Sequence, residues 1–353
     1  MEEVVVVGGG PAGLMAARTL AEEGVSSLVL ERNREFGLKP CSEVMREERY
    51  GFPILPLVGK GVVEKEFEEM ELVFYGRAFR VPVATFHPLR RLVREPSPLV
   101  LVNRERMERS LARRASSYGA KILLGKEVRK VEKGEGCLVL NGELRAKLVI
   151  GADGALSLLR SFIGERLQNL GYGINVRMRR KGEEGLKVFV DQDQIIPFGD
   201  AWRFAGGRKE NVGIWTSEEK YARRVLERWE AFRKREALPQ SKVLLTPLSS
   251  SPPCRTYHQR LLLAGDAGGL SDPLTGAGIY AALVTGYLAG KVAAEAVKKG
   301  KFGITFLRKY EEGWKRLMAT EIRKSLLLKN LRPLWMRKVW REFLPWMGAE
   351  PLG

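Results

Sequence analysis

A glycine turn, Gly8-x-Gly10-x-x-Gly13, stands between the β-branched run Met1–Val7 and the apolar-periodic stretch Leu14–Glu23. A second β-run, Ser27–Leu30, ends at Glu31. Strand, turn, helix and strand within about thirty residues make a βαβ unit. Gly8 permits the tight turn, Gly10 lets the backbone approach a pyrophosphate, and Gly13 lets helix and strand pack closely. Pro11 and Ala12 open the helix, whose N-terminal N–H groups carry partial positive charge. Glu31, 18 residues beyond Gly13, sits where a carboxylate accepts hydrogen bonds from ribose hydroxyls, with Arg32 beside it. Its charge repels a 2′-phosphate, which favours the adenosine of FAD or NAD over that of NADP. A lone GxGxxG is an ordinary glycine turn. Strand, helix and Glu31 together point to dinucleotide binding.

Two further motifs follow strands in the same way. Gly151-Ala152-Asp153-Gly154, with Ser157 and Arg160, comes directly after Lys147–Ile150. Gly265-Asp266-Ala267 comes directly after the buried-type strand Arg260–Ala264, with Pro273, Gly276 and Gly278 beyond it. An Asp at the C-terminal end of a strand can bind a ribityl hydroxyl. Glycines at the next helix start let that N-terminus approach a flavin carbonyl.

The chain of 353 residues is long enough for two domains, or for one large α/β domain with insertions. An apolar fraction of 44% supports a sizeable core and excludes a mainly disordered chain. Cys41, Cys137 and Cys254 lie far apart, there is no CxxC, and only two histidines occur, which argues against a disulfide framework and a metal site. His87 and His258 read as structural or exposed, Cys137 as core, and Cys254 as inert. The start MEEVVVV lacks the features of a signal peptide. The uncharged run Pro273–Gly290, 18 residues with four Gly, reads as a buried helix beneath a cofactor and not as a membrane span. A net charge of +18 suits nucleic acid, an anionic membrane surface or acidic substrates. It suits equally a solvated surface in a chain with only 12 Asn and Gln, as hot-adapted proteins often have.

Along the chain, Arg34–Pro56 reads as a loop, and Met70–Tyr75 with Ala78–Val83 as a hairpin. Asn103–Tyr118 and Glu218–Arg235 read as charged helices, and Phe306–Trp346 as a helical tail. The fold class expected is α/β, a Rossmann-type FAD-binding domain with an inserted antiparallel-sheet substrate domain and a C-terminal helical tail. The FAD-binding domain is expected in three pieces, 1–58, 100–160 and 255–300. The substrate domain is expected from 59–99 and 161–254, and the helical segment over 301–353.

GGGPAG with Glu31, GADGxxSxxR and GDAxGxxxPxxGxG together resemble the FAD-dependent group that contains para-hydroxybenzoate hydroxylase and geranylgeranyl reductase. The resemblance covers roughly residues 1 to 300. It implies that Gly8–Gly13 holds the FAD pyrophosphate, Glu31 the adenosine ribose and Asp266 the ribityl chain. Arg104 is implied near the FAD, and Asp153 and Gly154 near the pyrophosphate with a partly structural role. The wording GDAGGLSDPLTGAGIYAAL looks most like the geranylgeranyl reductases. So does Lys39-Pro40-Cys41, which matches a K-x-C-G-G stretch lining their site. Ser42 and Glu43 replace its glycines. A Y-x-W-x-F-P stretch of the reductases is matched at Asp200–Ala205, with Trp202 and Phe204 kept.

The resemblance implies an FAD-dependent reductase of isoprenoid double bonds acting on geranylgeranyl lipid precursors. Cys41 is its candidate catalytic residue, and Trp202 and Phe204 its candidate substrate contacts. Each has a plainer reading, Cys41 as a small buried hydrophobe and the aromatics as sheet core. A flavin-dependent monooxygenase of the hydroxylase type, acting on a hydrophobic or aromatic substrate, is the alternative. A flavoprotein that binds RNA is a third reading, but no RNA-binding motif occurs and nucleic acid is not expected. The expected electron donor is a ferredoxin or NAD(P)H. The tail from Lys301 carries Trp314, Trp335, Trp340 and Trp346 among basic residues, which suits an anionic membrane surface or packing on the FAD domain. A cytoplasmic location, with peripheral membrane contact, is expected.

Overall fold

The computed structural model describes residues 1–49, 52–83, 98–191, 193–335, 344 and 348–352, without the side chains of residues 49, 60 and 331–335. His87, Trp340 and Trp346 lie outside them, as does the side chain of Trp335.

The strand Glu2–Val7 lies inside a sheet, with Val4, Val5 and Val6 fully buried. A strand covered on both faces reads as an unbroken apolar run, as this one does. Ser27–Glu31 pairs parallel on one side of it and Leu144–Gly151 parallel on the other. Lys121–Leu124 extends the first side, again parallel. Leu144–Gly151 carries Leu261–Leu263 parallel at its C-terminal end and the antiparallel Cys137–Leu140 at its start. Register sets Val7 beside Gly151, and Gly151 beside Leu263. All three glycine motifs therefore emerge at one edge of one sheet, where ligands bind in open α/β folds.

Helix Pro11–Glu22 and helix Ile279–Lys299 pack together below this edge. A Cβ at Gly286 would lie 2.2 Å from the Ala12 carbonyl oxygen, and one at Gly290 would lie 2.6 Å from Thr19 Cβ. Glycines in the uncharged run thus let the two backbones touch. Among the described residues no helix is long and apolar enough to cross a membrane.

The second sheet has eight strands. Their order is Thr246–Ser249, Leu170–Arg179, Lys209–Thr216, Gly199–Gly206, Gly185–Val190, Glu69–Phe74, Arg77–Pro82 and Glu350–Pro351. One face packs on helix Ala222–Arg235 through Ile174, Val212, Ile214, Trp229 and Phe232. The other carries Met70, Leu72, Leu186, Trp202, Phe204 and Trp215. Alternation along each strand divides the two sets.

Three expectations are corrected here. The sheet is mixed, because Gly185–Val190 pairs parallel with Glu69–Phe74. The segment 301–353 is not wholly helical, since Glu350–Pro351 adds an edge strand against Arg77–Pro82. Arg34–Pro56 is not only loop: Val44–Arg46 pairs with Leu99–Val102, which also takes Val63–Phe67.

Helix Ile304–Trp335 lays a stripe of Leu307, Tyr310, Trp314, Met318 and Ile322 on the core. Three- and four-residue spacing puts these on one helix face. The Tyr310 hydroxyl donates to the Leu263 carbonyl at 2.7 Å, and Trp314 Nε1 to Thr256 Oγ1 at 2.8 Å. Trp314 is 2% exposed. Of the two readings open for the tail tryptophans, a membrane surface or packing on the FAD domain, Trp314 takes the second. Further on, buried Lys329 donates to the carbonyls of Ser217 (3.2 Å) and Ser250 (2.7 Å) and pairs with Glu218 at 3.0 Å. This ties the helix to the second sheet. Lys329→Met is expected to cost about 2 kcal/mol, because buried polar groups lose a charged donor. A urea titration should show a lower midpoint with an unchanged slope.

Candidate active site

A cavity of about 1150 Å³ runs from the glycine turns to the inner face of the second sheet. At one end it is walled by Gly8, Gly9, Gly10, Pro11, Ala12 and Glu31. At the other the wall is Met70, Leu186, Val188, Trp202, Phe204 and Trp215. Lys39, Cys41 and Arg104 line it as well.

The first turn separates two glycine roles. Gly8 has φ +107°, and a Cβ there would lie 2.2 Å from the Ala152 carbonyl oxygen. A Cβ at Gly13 would lie 1.9 Å from the Gly8 carbonyl oxygen. Both are demanded by the fold, and Gly13 does not line the cavity. Gly10 differs. Its φ of −81° suits any residue, and a Cβ would meet only Arg104 Nη2, at 4.0 Å. It caps helix Pro11–Glu22 with no side-chain bond to the helix N–H groups. The fold has room for a side chain here and leaves donors facing the cavity, which is what a bound pyrophosphate requires.

Glu31, 8% exposed, accepts from the N–H of Gly9 at 2.5 Å and of Asn33 at 2.8 Å. These bonds fix the carboxylate at the cavity wall, and its remaining lone pairs can take ribose hydroxyls. A Cβ at Gly9 would lie 2.8 Å from Glu31 Cβ, a constraint the sequence reading did not assign. Arg32 lines the cavity and is exposed.

Arg104 begins helix Arg104–Ser117 and is 5% exposed. Its Nε donates to Glu108 at 2.8 Å and its Nη1 to the Lys39 carbonyl at 3.0 Å. Burial works against its charge, but Glu108 and the Cys41 side chain outweigh that and hold its pKa above the ordinary value.

Asp153 and Gly154 line the cavity, but the Asp153 carboxylate is turned to local structure. It accepts from Ser157 Oγ at 2.6 Å and from the N–H of Leu158 at 2.8 Å. Burial raises its pKa against those bonds. Arg160 reaches the Ala267 carbonyl at 3.0 Å and joins the second motif to the third. Gly265, Asp266, Gly276 and Gly278 line the cavity, whereas Pro273 is buried and does not. Pro273 and Gly13 therefore shape the loops that carry the wall.

Asp266 is paired with Lys39 Nζ at 2.5 Å and accepts from the Ser271 hydroxyl. Burial pushes its pKa up, but Lys39, Ser271 and Arg104 prevail and hold it below the ordinary 3.8. A carboxyl whose folded pKa is depressed contributes stability above its unfolded pKa, and that stability is lost as pH falls through the folded value. Lys39→Met removes the main opposing charge and lets burial raise the Asp266 pKa, so the variant should be less stable than the parent near neutral pH and should lose less stability than the parent on acidification. Thermal melts from about pH 3 to 7 read this directly.

The loop Lys39–Glu43 is clamped to the second sheet by residues the sequence reading missed. Asn175 accepts from the Cys41 N–H at 3.1 Å and donates to the Cys41 carbonyl at 3.0 Å. Asn211, 3% exposed, donates to the same carbonyl at 2.6 Å and to Glu43 at 3.1 Å. Its own carbonyl accepts from Trp202 Nε1 at 3.0 Å. Glu43 occupies φ +63°, where glycine is at ease. Its carboxylate takes Arg177 at 2.9 Å and the Arg104 N–H at 3.3 Å, contacts a glycine could not make. The Glu43 N–H donates to Cys41 Sγ at 3.4 Å. Trp202 stacks on Phe204 at 6.2 Å and 29°. Of the other cysteines, Cys137 is buried, and burial pushes the Cys254 thiol up to about 11, which leaves it unreactive.

A family model described as FAD binding domain matches residues 1–178. Digeranylgeranylglycerophospholipid reductase 2 of Methanopyrus kandleri is 31% identical over 345 residues, covering 88% of this chain and 82% of that protein. The chain belongs to the geranylgeranyl reductase family of FAD-dependent oxidoreductases. A second relative, digeranylgeranylglycerophospholipid reductase 2 of Methanococcoides burtonii, is 28% identical over 363 residues, covering 93% of this chain and 83% of that protein. The crystal structure of a geranylgeranyl bacteriochlorophyll reductase-like protein from Thermoplasma acidophilum shares the fold. Its TM-score is 0.78 at 22% identity, covering 93% of this chain and 86% of that one. FAD is thus the cofactor of this reductase, and the open Gly10 turn and Glu31 fit it.

Proposed function

We propose that the reductase saturates isoprenoid double bonds in a geranylgeranyl lipid precursor. One observation carries this reading: a single cavity joins the dinucleotide cradle to an apolar wall of the second sheet. A long hydrocarbon and a flavin can share that space, as an alkene reduction demands. In this reading Gly8, Gly10, Pro11, Ala12, Glu31, Arg32, Arg104, Asp153, Gly154, Gly265, Asp266, Gly276 and Gly278 surround the FAD, with Gly13 and Pro273 as supports. The segments 59–99 and 161–254 act as the substrate domain on the FAD-binding pieces 1–58, 100–160 and 255–300.

Bound and reduced, FAD supplies a hydride for one alkene carbon. The other carbon needs a proton. Cys41 lines the cavity, its Sγ accepts the Glu43 N–H and lies beside Arg104, and in this reading its thiol supplies that proton. Trp202 and Phe204 press the chain into place, and the apolar wall excludes water that would waste the hydride. Cys41→Ala is expected to keep its FAD and lose about a hundredfold in kcat. Stopped-flow flavin reoxidation measures this, and full activity would move the proton to another donor.

Electrons come from a ferredoxin or NAD(P)H, which anaerobic titration of the oxidised protein with each would tell apart. The net charge of +18 suits collection of the lipid from an anionic membrane surface. The experiment that tests the function itself is reduction of a geranylgeranyl lipid by the dithionite-reduced protein, read by product mass.

A further inference from the structure

Strands Leu170–Arg179 and Lys209–Thr216 end in a concentration of positive charge. Arg177, Arg179, Arg180, Arg208 and Lys209 line a second, open cavity with Met178 and Gly207. Register sets Arg179 directly across from Lys209. Like charges facing each other across an antiparallel pair are destabilising unless an anion lies between them. Among the described residues no carboxylate pairs with Arg179, Arg208 or Lys209. Of the acids nearby in sequence, Glu184 is engaged with Lys65 and the Gly207 N–H and Glu210 with Arg203, while Glu183 is exposed and, among the described residues, forms no ion pair with the strip. Arg180 bonds the carbonyls of Gly207 and Gly182 and stiffens the rim.

The strip also continues the candidate active site. Asn175, Arg177 and Arg179 alternate onto one face of their strand, the face that reaches Cys41 through Asn175. At about 3.4 Å per residue, Arg179 lies roughly 14 Å beyond Asn175. Arg177 donates to the Gly37 carbonyl at 3.2 Å, and Gly37 and Leu38 wall the main cavity. Leu38 is 55% exposed, so the cavity opens beside the strip.

We propose that Arg179, Arg208 and Lys209 form a subsite for the phosphate of a lipid substrate whose hydrocarbon lies in the main cavity. This rests on the isoprenoid reading of that cavity. Guanidinium groups match phosphate geometry in bidentate fashion, and a lysine adds a point charge. A phosphate there relieves the Arg179–Lys209 repulsion and anchors one end of the chain. The depth to which the hydrocarbon enters is then set by the anchor.

The test compares binding of geranylgeranyl phosphate and geranylgeraniol to the FAD-loaded, full-length protein, by calorimetry and by tryptophan fluorescence. The parent should bind the phosphate at least about tenfold more tightly than the alcohol. Salt should erode that advantage. Inorganic phosphate should compete only against the phosphorylated lipid and only at far higher concentration, which separates a lipid headgroup site from a free-phosphate site. In Arg179→Ala/Lys209→Ala the advantage should shrink to about twofold, and in Arg179→Glu/Lys209→Glu it should invert. These residues are exposed, and thermal melts confirm that the variants fold. Equal binding of the two lipids by the parent, or an advantage untouched in both variants, overturns the subsite alone. Binding of neither lipid overturns the isoprenoid reading and the subsite with it. Loss of affinity for phosphatidylglycerol vesicles with the phosphate advantage intact makes the strip a membrane contact and also overturns the proposal.

Discussion

Gly10→Ala should give a folded protein that is colourless. Gly13→Ala, three residues away, should not fold. At Gly10 the backbone is in an ordinary extended conformation, and a methyl would meet nothing closer than Arg104 Nη2 at 4.0 Å. The chain alone has no use for a glycine there. The cost falls on the ligand, because a methyl would stand between the helix N-terminus and a pyrophosphate. FAD affinity is expected to drop about a hundredfold, with the melting temperature of the apoprotein unchanged. At Gly13 the methyl carbon would sit 1.9 Å from the Gly8 carbonyl oxygen, inside the strand-to-helix turn that holds the sheet edge. That overlap is expected to cost about 3 kcal/mol or more. Flavin absorbance and thermal melts on the two variants check both halves. A yellow Gly10→Ala with parental FAD affinity would remove the pyrophosphate from that turn.

Asn211→Leu is the other large expected effect. The Asn211 side chain is bonded to the Cys41 carbonyl, the Glu43 carboxylate, Trp202 Nε1 and Asn175 Nδ2. Leucine has the same branched outline, is bulkier and makes none of these bonds. The indole N–H of Trp202 would be buried without a partner, and the Cys41 carbonyl would keep only its Asn175 bond. A stability loss of about 2–4 kcal/mol is expected. Activity should fall further than stability explains, because Cys41 and Trp202 are positioned by the same amide. Asn211→Asp, which keeps an acceptor for Trp202 but sets a carboxylate against Glu43, should recover part of the packing and none of the loop. A denaturant titration alongside kcat and KM for the three proteins separates the two effects.

The residues legible in the sequence are those whose backbone demands leave a chemical trace. The turn at Gly8–Gly13, Glu31 at the end of its strand and the Asp266 loop each follow a strand directly. Parallel pairing then brings them to one edge, with Val7, Gly151 and Leu263 in register. What was not legible depends on long-range register. Asn211 meets residues 168 and 170 positions away. No local pattern distinguishes such an asparagine from a solvated one. Alternation about Trp202 marked a strand, but the partner of its indole lay on the next strand. Glu43 looked like a departure from a glycine-rich loop. The structure shows what its carboxylate does with Arg177, Asn211 and the Arg104 N–H at a backbone position that glycine would otherwise suit. The parallel joint between Glu69–Phe74 and Gly185–Val190 escaped for the same reason, being a tertiary choice between distant segments. Trp314 was legible in principle, since Leu307, Tyr310, Trp314, Met318 and Ile322 keep a helical stripe. The basic residues around it kept a membrane surface open beside packing on the FAD domain.

In the proposed reaction one cavity brings reduced FAD and an isoprenoid chain together. The most direct measurement is anaerobic. The protein is purified with FAD, reduced with dithionite and mixed with a geranylgeranyl lipid. Flavin reoxidation with a gain of about two daltons per saturated bond is the predicted result. A reduced flavin that stays reduced with the lipid, yet reacts with oxygen to give a hydroperoxide-like spectrum and a hydroxylated product, would contradict it and make the protein a monooxygenase.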